Sequence, residues 1–256
     1  MLRADEPRRR FNRVPLRYLA PNLVTLLALC SGVTAIRLAF EGRFELAVGA
    51  VIVAVVLDAV DGRLARLLKG SSRFGAELDS LADFVNFGVA PAVLLYTWSL
   101  HSLRNLGWVV ALALAIACAL RLARFNVTAD DPDKPAFTKN FFTGTPAPAG
   151  AGLAMLPMYL GFLAGLADPT VVAPLILPYV LFVAFLMVSQ IPTFSGKDLG
   201  GAVSRERALI ILSLALFLIV LIIAFTWEML SILAVAYLVL LPFGVRSYRR
   251  LERAQG

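Results

Sequence analysis

A single histidine, two cysteines and a charged fraction of only 16% leave this 256-residue chain poor in the usual polar reagents. Soluble domains carry about 25% charged residues. His101 falls in a loop between apolar runs, which excludes a Ser–His–Asp or His-ligated mechanism on the opposite side. Cys30 and Cys118 lie inside predicted helices, too few and too buried for a disulfide framework or a zinc site. There is no Walker loop and no dinucleotide fingerprint. No alternating pattern with a polar lumen face is present, which argues against a β-barrel. Apolar residues are in excess: 59% are hydrophobic and mean hydropathy is +0.80. A water-soluble globule of this length has nowhere to hide that surface. A soluble enzyme, a disordered chain and a disulfide scaffold are excluded, and an all-α integral membrane protein is expected.

A membrane-crossing helix needs about 20 apolar residues. Eight such runs are legible, at 19–40, 44–68, 76–100, 106–127, 146–166, 170–189, 208–225 and 229–244, the last two separated only by Thr226–Glu228. The net charge of +7 reports orientation: 21 of the 24 Lys and Arg residues fall on one side of this topology. Arg37, Arg43 and Arg104 are left for the other. The positive-inside rule then predicts a multi-pass cell-membrane protein with both termini cytoplasmic. The division expected is a basic juxtamembrane segment (1–18), a catalytic membrane domain (19–200), two additional helices (201–245) and a basic tail (246–256). The basic start lacks an obvious small-x-small cleavage site, so an uncleaved first helix is expected. Its arginines suit anionic headgroups and also suit a pure topology signal.

Four carboxylates stand where a membrane protein should avoid them: Asp58 and Asp61 on the second run, Asp79 and Asp83 on the third. A mid-membrane charge costs about 2.5–3.5 kcal/mol, less near an interface. Asp58, Asp61, Gly62, Ala65 and Arg66 share one helical face, as do Gly75, Asp79 and Asp83. The short link predicts an antiparallel hairpin with two facing carboxylate pairs near the cytoplasmic end. Clustered anions repel unless cations or protons intervene. All-oxygen ligands favour a hard ion, one or two of Mg²⁺ or Mn²⁺, and paired metals suit displacement at phosphorus. Gly62, Ala65 and Gly75 serve either close helix packing or a flat ligand lying against the backbone. Arg66 either snorkels to the interface or binds a phosphate or an aspartate.

The pattern Asp58-x-x-Asp61-Gly62-x-x-Ala65-Arg66, eight residues, Gly75-x-x-x-Asp79-x-x-x-Asp83 resembles the signature of the CDP-alcohol phosphotransferases without departure. That resemblance implies a six-helix core plus two C-terminal helices, and a homodimer. It also implies a CDP-linked lipid donor, an attacking alcohol and CMP as leaving group. Asp58, Asp61, Asp79 and Asp83 would hold the metal, with Asp83 as general base as well. Asn22, Thr25, Gly62, Ala65, Arg66, Ser72 and Gly75 would line the nucleotide and phosphates.

The residues after the signature, Leu78–Ala92, resemble the phosphatidylserine synthase branch, with Asn86 where serine is frequent; so do Arg121–Asn126 and Phe141–Ala149. The resemblance implies CDP-diacylglycerol as donor and L-serine as acceptor. Asn86, Arg121, Arg124 and Lys139 are candidates for the serine pocket, although the three cations also satisfy the positive-inside rule. Thr143–Pro148 is either a rigid entry into the fifth run or part of that pocket. Glycerol 3-phosphate, inositol or choline are alternative acceptors. A cation-coupled transporter is a further reading, disfavoured because the Asp-rich hairpin is not repeated. No nucleic-acid partner is implied.

Overall fold

The structure, a computed structural model, describes residues 16–68, 70, 72–129, 141–194 and 205–255. Among the described residues ten α-helices, some continuous with one another, build eight rods over the eight predicted runs. They are α1 (Leu16–Phe40), α2 (Phe44–Leu67), α3 (Arg73–Asp83), α4 (Ala90–Trp98), α5 (Asn105–Ala129), α6 (Ala147–Ala154), α7 (Leu156–Leu163), α8 (Ala173–Val188), α9 (Arg205–Ala224) and α10 (Thr226–Gln255). A π-helical segment, Phe84–Val89, joins α3 to α4. The rods at Leu19–Phe40, Arg73–Trp98, Asn105–Thr128, Pro169–Val188 and Thr226–Gly244 are long and apolar enough to cross a membrane, and Ala147–Leu163 is a shorter apolar helix. Large apolar side chains such as Leu23, Val56, Ile116, Leu175 and Phe185 are exposed, as a bilayer requires and water would penalise.

α1 and α2 form the closest pair because their shared face is small. Ala28, Ala35 and Ala39 meet Ala47, Val48, Val51 and Ala54 with almost no surface left open. In lipid, where apolar burial gives little drive, such close backbone approach is the main attraction. Ser31 Oγ also donates to the Ala50 carbonyl at 2.8 Å. The turn between them depends on Gly42 at φ +72, while the Arg37 guanidinium holds the exposed Glu41 carboxyl below the usual carboxylate range.

Proline explains two breaks. Pro157 has no N–H for the Leu153 carbonyl, and the rod splits into α6 and α7. Tyr179 Oη donates to that carbonyl at 2.7 Å instead, tying α8 across the break. Pro91 likewise gives no N–H to the turn before it, at the exit of the π segment.

Three features go beyond what the sequence predicts. A short antiparallel ribbon pairs β1 (Phe141–Thr143) with β2 (Pro192–Phe194). α10 continues as helix through the predicted tail to Gln255. The second and third runs form the expected antiparallel hairpin but splay at the ends that carry the aspartates. α2 nears the π segment and α4, while α1 packs against α2, α3 and α4 and fills the wedge between them.

Gly107 sits against the Leu100 carbonyl oxygen, where a methyl group has no room and the neighbour is backbone. Gly107→Ala is expected to destabilise by about 1–3 kcal/mol, read as a lower melting temperature of the detergent-solubilised protein. An unchanged melting temperature would contradict the packing described.

Candidate active site

The wedge between α2 and α3 opens at the ends that carry the aspartates. Its cavity, about 190 Å³, is walled by Asn22 and Thr25 from α1, Asp61, Gly62 and Ala65 from α2, and Ser72, Gly75 and Asp79 from α3. Those eight residues come from three separated stretches, and all were singled out on sequence. Ser72 caps α3, its Oγ accepting from the Gly75 N–H at 3.0 Å. The helix start therefore faces the cavity with the donor-rich, positive end that suits phosphate. Gly75 lies close under Asn22: a β-carbon there would stand 2.8 Å from Asn22 Oδ1 and push that amide aside. Gly62 instead faces open space, which fits a ligand lying against α2 better than helix packing.

The carboxylates form two tiers. Ligand oxygens of Asp58, Asp61 and Asp79 lie within 4.8 Å of one another. Asp58 also meets Asp83 side chain to side chain, one turn further into the rods. Thr25 Oγ1 donates to Asp61 Oδ2 at 2.6 Å, so α1 fixes one oxygen of the cluster. A hard cation holds its oxygens at about 2.0–2.6 Å, so ligands of one ion lie at most about 5 Å apart. The donor set therefore fits a divalent ion in chemistry and in spacing. Asp83 Oδ1 is buried with no hydrogen-bond partner among the described residues.

Arg66 is exposed and does not line the cavity. Asn86 falls in the π segment and is buried, its amide without partners among the described residues and seated against Gly32 of α1. Arg121 is 9% exposed, with its Nε unpartnered among the described residues. Arg124 is committed elsewhere: Nη1 donates at 2.6 Å to the Val188 carbonyl at the end of α8. That carbonyl has no helical donor four residues on, where Pro192 stands. Lys139 lies outside the described residues.

Sequence reading passed over two of the lining residues. Gly70 and Ala76 also line the cavity, and the Gly70 N–H closes α2 on the Ala65 carbonyl at 3.0 Å. Thr145 is buried with its hydroxyl unpartnered among the described residues. Gly144 before it needs φ +77 and has no room for a β-carbon beside the Ser189 carbonyl. Thr143–Pro148 is thus a fixed entry into α6 that also carries a buried polar group. The Gly144-Thr145-Pro146 run, small, polar and rigid, was the only signal for it.

Fold and site together define a helical membrane protein with an oxygen-ligand cluster beside an anion-suited cavity. The sequence model of the family described as CDP-alcohol phosphatidyltransferase matches residues 18–190, and the chain belongs to that family. Among its relatives, a Mycobacterium leprae protein named CDP-diacylglycerol–serine O-phosphatidyltransferase is 38% identical over 233 residues, spanning 90% of this chain and 76% of the relative. A Helicobacter pylori protein of the same name is 36% identical over 178 residues, 68% of this chain and 71% of its own. A Saccharomyces cerevisiae protein of that name is 40% identical over 108 residues, 41% of this chain and 38% of its own.

A ligand that binds only the folded state raises its melting temperature. Millimolar Mg²⁺ or Mn²⁺ is expected to do so for the purified protein, and Asp61→Asn combined with Asp79→Asn is expected to abolish the shift. Thr25→Val should weaken it, by leaving Asp61 without its donor. An equal shift in all three proteins would dismiss the cluster as a cation site.

Proposed function

We propose that this chain transfers the phosphatidyl group of CDP-diacylglycerol to the hydroxyl of L-serine, releasing CMP and forming phosphatidylserine. The observation that carries the reading is the meeting of Asp58, Asp61 and Asp79 beside the cavity at the capped start of α3. The names of the relatives support the donor and the acceptor.

Each wall of the cavity has a task in this scheme. Gly62 and Ala65 leave room for the nucleotide against α2, and Asn22 offers it an amide. The α3 start and Ser72 receive the pyrophosphate. Asp58, Asp61, Asp79 and Asp83 would hold one or two Mg²⁺ or Mn²⁺ ions, which supply charge neutralisation on the phosphates. The serine oxygen attacks the lipid-side phosphorus, and the bond from that phosphorus to the CMP oxygen breaks. Asp83, with a buried unpartnered oxygen, takes the hydroxyl proton. Serine brings a carboxylate and an ammonium. Arg121, buried and with an unused donor, suits the first, and Asn86 suits the second. Arg66 remains a candidate for phosphates arriving at the open end of the wedge. The 21-to-3 division of cations supports a cell-membrane placement with both termini and the site on the cytoplasmic side. A homodimer belongs to the same reading on the strength of the family, and cross-linking in vesicles tests it.

The deciding measurement is CMP release from CDP-diacylglycerol across an acceptor panel. Release should require L-serine and a divalent ion, and Asp83→Asn should lower it by at least about a hundredfold. Turnover with glycerol 3-phosphate, inositol or choline in place of serine would assign a sister activity. Full activity of Asp83→Asn would remove the base from the scheme.

A further inference from the structure

α10 lies beyond residues 18–190, which the family model matches, and it is longer than a membrane crossing requires. Its apolar span ends at Gly244, yet the helix continues unbroken to Gln255. Residues 245–255 add about 16 Å of helix at 1.5 Å each. Contacts fix the direction of the rod. Trp227, at its start, stacks on Tyr159 with ring centroids 6.4 Å apart and leans on Phe162 at 4.7 Å, both in α7. From there α10 passes α6 and reaches β2. β2 pairs with β1, the next element after α5, and the end of α5 touches the aspartate rod. Asn126 Nδ2 donates to Ser80 Oγ at 2.9 Å, beside Asp79. The extension therefore emerges at the end of the molecule that holds the carboxylate cluster.

Spacing divides the residues of α10 between faces. The packed face runs through Trp227, Leu230, Ala234, Tyr237 and the buried Gly244, and the same period next gives Tyr248. Arg246, Arg249, Arg250 and Arg253 stand at i, i+3, i+4 and i+7, inside an arc of about 100° on another side of the helix. Glu252, the one acid between 245 and 255, falls outside that arc. Orienting a membrane protein takes a number of cations near a span and no particular register. Four on one helical face, away from the packed one, make a surface. Depth says what that surface meets. Arg246, Arg249 and Arg250 lie within about 9 Å of Gly244 along the axis, and a headgroup layer is about 5–8 Å deep.

We infer that this arginine face binds anionic phospholipids of the phosphatidylglycerol kind in the leaflet at the site end. A guanidinium matches a phosphate with two parallel N–H donors, and clustered juxtamembrane arginines attract anionic headgroups over zwitterionic ones. The inference stands apart from the serine reading and holds whichever alcohol the site accepts. It gives the rod outside the matched region a task, which is to hold anionic headgroups at the end where the cavity opens.

Trypsin cleaves after arginine, so lipid seated on this face should shield it. The test places the full-length protein in nanodiscs of phosphatidylcholine alone or with about 30% phosphatidylglycerol, a lipid fraction typical of a moderately anionic membrane. Release of peptides ending at Arg246, Arg249, Arg250 and Arg253 is followed by mass spectrometry. At 0.1 M salt, phosphatidylglycerol should slow that release at least about fivefold. At 1 M salt, where the screening length falls from about 10 Å to about 3 Å, the protection should vanish. Replacing Arg249 and Arg250 with Gln should remove most of the protection left at Arg246 and Arg253. Equal rates in the two nanodiscs would reduce the stripe to a topology signal and overturn the proposal. So would protection that survives 1 M salt, or a double variant protected as well as the wild type. The first comparison needs no variant, so a folding defect cannot obscure it.

Discussion

Everything in this molecule is arranged around four carboxylates that repel one another in a medium that solvates them poorly. The rods that carry them cannot simply pack together, since that would concentrate negative charge with nothing to offset it. The fold's answer is a wedge. α2 and α3 splay, α1 fills the gap, and Thr25 reaches across to hold one Asp61 oxygen. The splay that relieves the charge also creates the cavity. Carboxylate cluster and cavity are therefore one construction.

The first six rods serve that wedge in different ways. α1 and α2 are welded by alanines, a fixed base from which α3 can diverge. α5 packs against α8 and the π segment, with Arg124 satisfying the carbonyl that Pro192 leaves at the end of α8. The π segment comes directly after Asp83 and places Asn86 inside the protein, facing Gly32. Each irregularity has a named cause, whether a proline, a glycine pressed by a neighbour, or a side chain that completes a helix end.

Much of this was legible in the chain. The eight apolar runs became eight rods because span length is dictated by the bilayer, and the aspartate pattern led to a real cluster because helical period fixes which side chains share a face. Periodicity says nothing of the angle between rods, so the hairpin was legible and its splay was not. A π turn has no composition signature; only Pro91 hinted at it. Arg124 looked like a ligand residue from its type and side, while its bond to Val188 depends on a carbonyl 64 residues away.

The location of the cavity at one end of the rods has a consequence for the lipid made there. Headgroup chemistry in that cavity is confined to a single end of the rods. A transferase built this way leaves its product in the leaflet where the donor lay. The asymmetry of the bilayer is then written at the moment of synthesis, and any lipid on the far side must be carried there by a different protein.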